Sequence, residues 1–549
     1  WCHQLTALLG LSLTTTTAVA LSLTLGIQFA WRRPRPQISG GEAPLGAFAL
    51  LCLVPAAWSV GFVWLMQAAN ELIGQFSVET LAAPGPRLLL SFAIAFVALA
   101  LPVYAITRLP IQLVNLWPCR PDGSKSGERL PVVYFPFLVG IAAGILGDVL
   151  LLAPFFGLQA VSYVAIACTA GLFALAWRNS SVATEVEETP TPTLQPQRRR
   201  HSIASHADSL WTASIVVFLG GLAAIATRMT HQLMPTVGFL VWTKWAALLF
   251  TAALGMLWTA RHLRTSPAQK PGFSNVTSSQ TTLRCGAALL AAGWCGLIPL
   301  LFSWYVGGML LLNSYVSSVW LQIVLRCLIV CSMLAPFGFA WGMLAVAPQR
   351  QAENETAGSF PQLLLFSFVA GMLAVRWLLL PQWPLENLLP FVSIALAGLA
   401  LFRWLATREI PSGRLARASI ASLLCLAALS PFVRQQYNPA ESARLLFSTH
   451  VFLAKRSGLQ GQLLPYIDEG RLVARQEGEH GTYTLWSMRG TQLQLRESGI
   501  PKAIVSNNTR ICPQFSADVM QAALPLVLHD NPQRTLLLGL QGGVTLDTC

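Results

Sequence analysis

Charged residues make up only 11% of this 549-residue chain, less than half the share of about 25% found in an ordinary soluble domain. Acidic groups are the scarcer kind, 23 against 36 Lys and Arg. With 54% hydrophobic residues and a mean hydropathy of +0.56, this excludes a single soluble globule and excludes disorder. Signatures of common chemistries are missing too. The 11 Cys show no CxxC pair and no Cys/His cluster of zinc type. There is no HExxH, no GxxxxGKS/T and no GxSxG arrangement, so metalloprotease, P-loop nucleotidase and serine-hydrolase readings have no support. Cys327 and Cys331 lie four apart on one helix face and read as small packing residues.

The apolar residues come in runs long enough to cross about 30 Å of hydrocarbon. Candidate spans lie near 5–30, 46–69, 87–107, 132–156, 158–177, 209–227, 234–258, 285–305, 317–346, 361–380, 385–405 and 416–433. The expected architecture is a polytopic helical membrane bundle of about 11–12 spans over 1–434. A Pro/Thr-rich, then basic, polar linker at 178–208 divides it. Two helix groups joined by a long basic loop resemble the layout of major-facilitator transporters. Membrane lipid is therefore an expected partner, the cell inner (plasma) membrane the expected location, and a homo-oligomer is left open. The net charge of +13 sits mostly in short loops, which argues for membrane topology and against nucleic acid.

Arg32, Arg33 and Arg35 follow the first span, Arg120, Lys125 and Arg129 the third, and Arg198, Arg199 and Arg200 the fifth. Arg261, Arg264 and Lys270 follow the seventh, and Arg408 and Arg414 the eleventh, while Glu71, Glu79 and Arg228 are left for the other loops. Odd-numbered spans should then end in the cytoplasm, with residue 1 outside. Twelve spans would place the remainder outside. If Ser419–Val433, short and flanked by Arg417 and Arg434, lies in the interface, the soluble part is cytoplasmic, which is the version expected here. Trp1 in place of Met, and Cys549 soon after a glycine pair, read as ends lying within a longer chain, with one further helix ahead of Trp1.

Four ionisable residues interrupt the apolar runs: Asp148, Lys244, Arg326 and Arg376. A charge at membrane depth is costly, so each marks an internal pair or a pathway. Asp148 follows Gly144-Ile145-Leu146-Gly147, where small residues favour close helix packing. Two readings stand: a cation or proton site, even one for a polyamine, or an ion pair of Asp148 with Lys244 or Arg326.

Beyond about residue 437 the pattern changes. Gly470–Leu495 alternates apolar and polar residues, with turn residues at Met488-Arg489-Gly490, as in a small antiparallel β region. Residues 515–528 read as an amphipathic helix stopping at His529-Asp530-Asn531-Pro532. Thr535-Leu536-Leu537-Leu538-Gly539 is then an apolar strand that runs into Gln541-Gly542-Gly543, where residues without a Cβ let a backbone approach a nucleotide. The expected units are a junction and small β domain at 435–530 and, at 531–549, the first strand of a truncated Rossmann-like domain of methyltransferase type.

Four pieces of this tail, in order, resemble the spermidine synthase (polyamine aminopropyltransferase) family in its membrane-fused branch. They are Glu479-His480-Gly481-Thr482-Tyr483-Thr484, Ser498-Gly499-Ile500, Leu524 to Pro532, and Leu538 to Thr545, with Tyr437-Asn438-Pro439 similar to the family's junction. The resemblance implies transfer of an aminopropyl group from decarboxylated S-adenosylmethionine to an amine such as putrescine. That donor is a co-substrate, no cofactor is permanently bound, no metal is implied, and the partners are a small amine and a nucleoside. A catalytic Asp, the base toward the attacking amine, is expected beyond Cys549. Gly539, Gln541, Gly542, Gly543, Lys502 and His480 fall where the family touches substrate. The chain departs from the pattern at Gln541, for a glycine, at Gly542, for a substrate-binding Asp, at Lys502, for a Gln, and at Asp518-Val519, for a His-Glu pair. Losing an acid and gaining Lys502 weakens a site for cations by Coulomb repulsion. The alternative is a transporter with a degenerate polyamine- or nucleoside-sensing tail, or a scaffold with an inactive one.

Overall fold

The computed structural model describes residues 5, 8–9, 13–32, 43–77, 84–116, 129–182, 203–234, 240–265, 274–346, 360–406, 470–477, 481–488, 492–506, 516–529 and 533. It is mostly helical. The bundle helices are α1 (Leu13–Arg32), α2 (Ala43–Gly74), α3 (Pro84–Leu116), α4 (Arg129–Gly147), α5 (Ala153–Val182), α6 (Ile203–Leu233), α7 (Leu240–Thr265), α8 (Ser274–Tyr315), α9 (Val319–Val346), α10 (Phe360–Ala374) and α11 (Leu385–Ala406). Wider π turns follow α4, at Asp148–Leu152, and α10, at Val375–Leu379. Among the described residues, 7 helices are long and apolar enough to cross a membrane, which suits a membrane protein. They match the runs near 46–69, 87–107, 132–156, 209–227, 285–305, 317–346 and 385–405. The runs near 5–30, 158–177 and 361–380 carry shorter apolar stretches. The run near 234–258 is α7, and 416–433 lies outside the described residues.

The bundle has an internal repeat with an offset of six helices. The helix α1 packs on α3 as α7 packs on α9, and α2 packs on α5 as α8 packs on α11. Indole hydrogen bonds repeat as well: Trp58 Nε1 of α2 donates to the Ala98 carbonyl of α3 at 2.8 Å, and Trp294 Nε1 of α8 to the Met333 carbonyl of α9 at 3.2 Å. The π turns after α4 and α10 obey the same offset. Among the described residues the halves meet where α4 packs on α7 and α10 on α1, a pair of contacts that the offset exchanges as a two-fold axis does, and where Phe155 of α5 stacks on Trp320 of α9.

Packing tightness differs between the halves. Where α6 crosses α10, a Cβ on Gly220 would overlap the Phe368 carbonyl, and one on Gly371 the Val217 carbonyl. Where α7 meets α9, Gly255 faces the Phe339 carbonyl and Gly342 the Ala252 carbonyl in the same way. Small residues thus let backbones touch, which is how helices gain dispersion contact in lipid. In the first half a Cβ on Gly26 of α1 would lie 3.0 Å from Val103 Cγ1 of α3, but one on Gly140, Gly144 or Gly147 of α4 would meet nothing within 4 Å among the described residues. The expected close packing before Asp148 is therefore absent among the described residues; it occurs on α6, α7, α9 and α10.

The tail holds a meander, β1 (Arg471–Glu477), β2 (Thr482–Met488), β3 (Gln492–Glu497) and β4 (Ile500–Ser506), antiparallel in the order β1-β2-β3-β4. It extends the expected β region past Leu495 by a strand whose Pro501 and Lys502 break the alternation, as an edge strand tolerates. Ser498 and Gly499 have φ of 49° and 88° and form a two-residue loop between the paired Glu497 and Ile500. Positive φ at both positions is the I′ geometry that matches strand twist. The helix α12 (Ser516–Leu528) follows, where the sequence places it. The proposed Rossmann-like strand and its glycines lie outside the described residues.

Two side-chain contacts seat the sheet on the bundle. Arg475 of β1 bonds both oxygens of Glu386, at 2.7 and 3.0 Å. Gln232 Nε2, at the end of α6, donates to Thr482 Oγ1 of β2 at 3.3 Å. Glu386 is in the first turn of α11, a helix about 33 Å long at 1.5 Å per residue. The sheet thus meets the bundle where α6 stops and α11 starts, and Ala406 is at the other end, with Arg32, Arg129 and Arg261.

Candidate functional site

The buried side of the sheet is polar. Thr482, Thr484 and Trp486 of β2 and Gln494 and Arg496 of β3 alternate onto one face. Their polar atoms satisfy one another, as burial requires: Trp486 Nε1 donates to Thr484 Oγ1 at 3.0 Å, and Arg496 Nε to Gln494 Oε1 at 2.7 Å. Arg496 Nη1 also reaches the Gly499 carbonyl at 3.4 Å, which ties the I′ turn to the sheet. The Ser498 N–H donates to the Thr482 carbonyl at 2.7 Å, and a Cβ on Gly481 would collide with Ser498 Oγ. Two of the quoted motif pieces, Gly481-Thr482-Tyr483-Thr484 and Ser498-Gly499-Ile500, are thereby brought into contact.

Of the residues expected to touch substrate in the tail, Lys502 lies on β4 with its side chain 46% exposed, and its Nζ is 3.2 Å from Glu497 Oε2 on β3. The cross-strand carboxylate offsets the charge of Lys502. His480, Gly539, Gln541, Gly542 and Gly543 lie outside the described residues, and Asp148, Lys244, Arg326 and Arg376 are in the bundle.

There the expected ion pair is not formed. Lys244, only 6% exposed, donates from Nζ to the Thr227 carbonyl at 3.2 Å. Arg326 donates from Nη2 to Asn313 Oδ1 at 3.1 Å, so neither cation pairs with Asp148. Asp148 opens one π turn and Arg376 lies in the other, and such turns cluster at functional sites. Beside Arg376, Trp377 Nε1 donates to Thr17 Oγ1 of α1 at 3.0 Å, which pins the second π turn to the opposite half.

The structure places inside a helix a residue that the sequence reading assigned to a loop, next in sequence to Thr227, whose carbonyl meets Lys244. Arg228 is inside α6, which runs on to Leu233. The apolar count stops at 227, but a helix buried in protein need not stay apolar. Arg108, stacked 5.7 Å from the Tyr104 ring centroid, and Arg284 are further buried cations that the reading passed over. Among the described residues no group of three or more His, Cys, Asp or Glu comes together to hold a metal. No protein-family model and no curated protein matches the chain.

Proposed function

We propose that the protein is a membrane-anchored, spermidine-synthase-like aminopropyltransferase whose anchor has a major-facilitator-like layout. One observation carries this reading: the meander, its I′ turn at Ser498-Gly499 and α12 precede the glycine-rich Leu538–Thr545 run in the order of that family. On this reading 531–549 opens a Rossmann-like domain, and Gly539, Gln541, Gly542 and Gly543 approach the nucleoside of decarboxylated S-adenosylmethionine. His480 and Lys502 border the amine. The amine nitrogen attacks the aminopropyl carbon, its C–S bond breaks, methylthioadenosine leaves, and a carboxylate base takes the proton. The protein is a multi-pass component of the inner (plasma) membrane with its tail in the cytoplasm, where the donor is made.

The seat of the sheet favours a second reading. Loop charge assigns the end carrying Arg32, Arg129 and Arg261 to the cytoplasm, and the sheet sits at the other end. A transporter with a polyamine- or nucleoside-sensing tail fits that placement, and the six-helix offset of the bundle suits a carrier.

Full-length protein in membranes, given labelled decarboxylated S-adenosylmethionine and a panel of amines, tests the first reading through methylthioadenosine release. A Val473→Cys variant (54% exposed on β1) tests the placement. Turnover, with labelling by an impermeant maleimide only after permeabilisation, establishes the transferase. Labelling in intact cells without turnover overturns it for the transporter.

A further inference from the structure

The tip of the α8–α9 hairpin holds a cation that little neutralises. Arg326 of α9 is half-buried, and its Nη2 donates to Asn313 Oδ1 of α8 at 3.1 Å. Its Nε is enclosed and has no acceptor, while Nη1 is not enclosed. Among the described residues the Asn313 amide is the one partner of the guanidinium, and no carboxylate pairs with it. A single neutral acceptor does not match a permanent charge, and at membrane depth the mismatch is costly. The head of Arg326 leans toward the tip. Its Cα lies seven residues past Val319, where α9 begins, about 10 Å along the axis. Asn313, in contrast, is two residues from the end of α8 at Tyr315. Helix side chains tilt toward the N-terminus, and this one spans the difference as a snorkelling arginine does. Gln322, one turn before Arg326, folds the same way, and its Nε2 donates to the Val316 carbonyl in the turn.

We propose that Arg326 and Asn313 form a binding site for a phosphate group at the tip of the α8–α9 hairpin. Nη1 and the second N–H of Nη2 make an end-on fork that matches phosphate oxygens, and the Asn313 amide N–H groups add neutral donors beside it. The surroundings make a lipid headgroup the source of the phosphate. Tyr315, Val319 and Trp320 are exposed around the tip, and aromatic residues of this kind mark the level of the headgroups. Below them Val324 and Leu328 continue the exposed apolar surface along α9, where acyl chains can lie. The helix order puts this tip at the end of the bundle where α6 stops and α11 starts, so the lipid belongs to the leaflet on the side of the sheet. A free phosphate ion offers the same oxygens and is the rival source. The site stands under either reading of the function.

The test uses the purified full-length protein, extracted into neutral detergent from vesicles of phosphatidylglycerol and phosphatidylcholine. Native mass spectrometry reads the lipid retained by the parent, Arg326→Gln and Arg326→Lys, and binding of radiolabelled inorganic phosphate is measured after delipidation. The expected result is retained phosphatidylglycerol in preference to phosphatidylcholine. Retention should fall about tenfold in Arg326→Gln, the factor of one lost charge-assisted contact, and less in Arg326→Lys, which keeps the charge without the fork. Saturable phosphate binding with the same variant pattern, and no lipid preference, assigns the site to the free ion. Equal retention of both lipids without phosphate binding overturns the proposal, as do retention and binding that are the same in Arg326→Gln as in the parent. If Arg326→Gln fails to fold, photo-crosslinking of the parent with phosphatidylglycerol carrying a headgroup diazirine decides. Label within 313–326 supports the site, and label confined to other segments, without phosphate binding, overturns it.

Discussion

The two halves of the bundle share a pairing scheme, but α4 of the first and α6 of the second differ sharply in packing. In the second half, 67% of the membrane window of α6 is buried in protein; in the first, only 6% of that of α4 is. The cause is visible at single glycines. Gly220 and Gly371 bring α6 and α10 to backbone contact, while a Cβ on Gly140 or Gly144 of α4, the offset equivalent of α10, would meet nothing within 4 Å among the described residues. One pattern of helix neighbours therefore coexists with two degrees of interdigitation. In a solvent as apolar as the side chains, only the second kind supplies strong dispersion contact.

Alanine substitutions grade this difference, and the largest effect belongs to Gly371→Ala. Its methyl would overlap the Val217 carbonyl, so α6 and α10 must separate, at a cost of about 3 kcal/mol. The expected outcome is loss of most folded protein in fluorescence-detected size exclusion after mild heating; parent-like behaviour would show that the close crossing is not needed. Next is the seat of the tail. Arg475 and Glu386 are 15% and 22% exposed, and truncating either should cost about 2 kcal/mol, between the values for exposed and buried pairs. A double-mutant cycle on protease release of the tail checks this, and additive single effects would remove the pair from the seat.

Gly26→Ala puts a methyl 3.0 Å from Val103 Cγ1, a side chain that can give way, so a loss of about 1 kcal/mol is expected in thermal unfolding. Gly144→Ala is the smallest. With open space around it, the helix preference for Ala should leave stability within about 0.5 kcal/mol of the parent, on the favourable side. A large loss there would mean that α4 is covered by a close neighbour after all, and the contrast between the halves would fall.

Much of the tail was legible because turn chemistry is local. Ser498-Gly499, one of the quoted motif pieces, forms a tight turn, the alternation from Gly470 predicts strands, and the helix over 515–528 starts within a residue of α12. The break between the apolar runs at 156 and 158 likewise falls on Gly157, whose φ of 77° kinks α5. What stayed hidden depends on pairs distant in sequence. Nothing in the spacing of Thr227 and Lys244 announces that they meet, nor does that of Gly220 and Gly371 announce the crossing of α6 and α10. The six-helix repeat was equally silent, because it resides in which helices touch and not in similar residues. Hydropathy also ends α6 too soon: its last turn is polar yet enclosed, with Gln232 only 2% exposed.

The seat of the sheet has a mechanical meaning. Both anchors, Gln232 on α6 and Glu386 on α11, belong to the second half, and neither contact reaches the first. If the halves pivot against each other, the tail moves as cargo of one of them, like a flag on one leaf of a hinge. A pair of fluorophores, one on the sheet and one at the matching end of α1, would turn that pivot into a change of distance. A pair between the sheet and α11 would stay constant through the same motion.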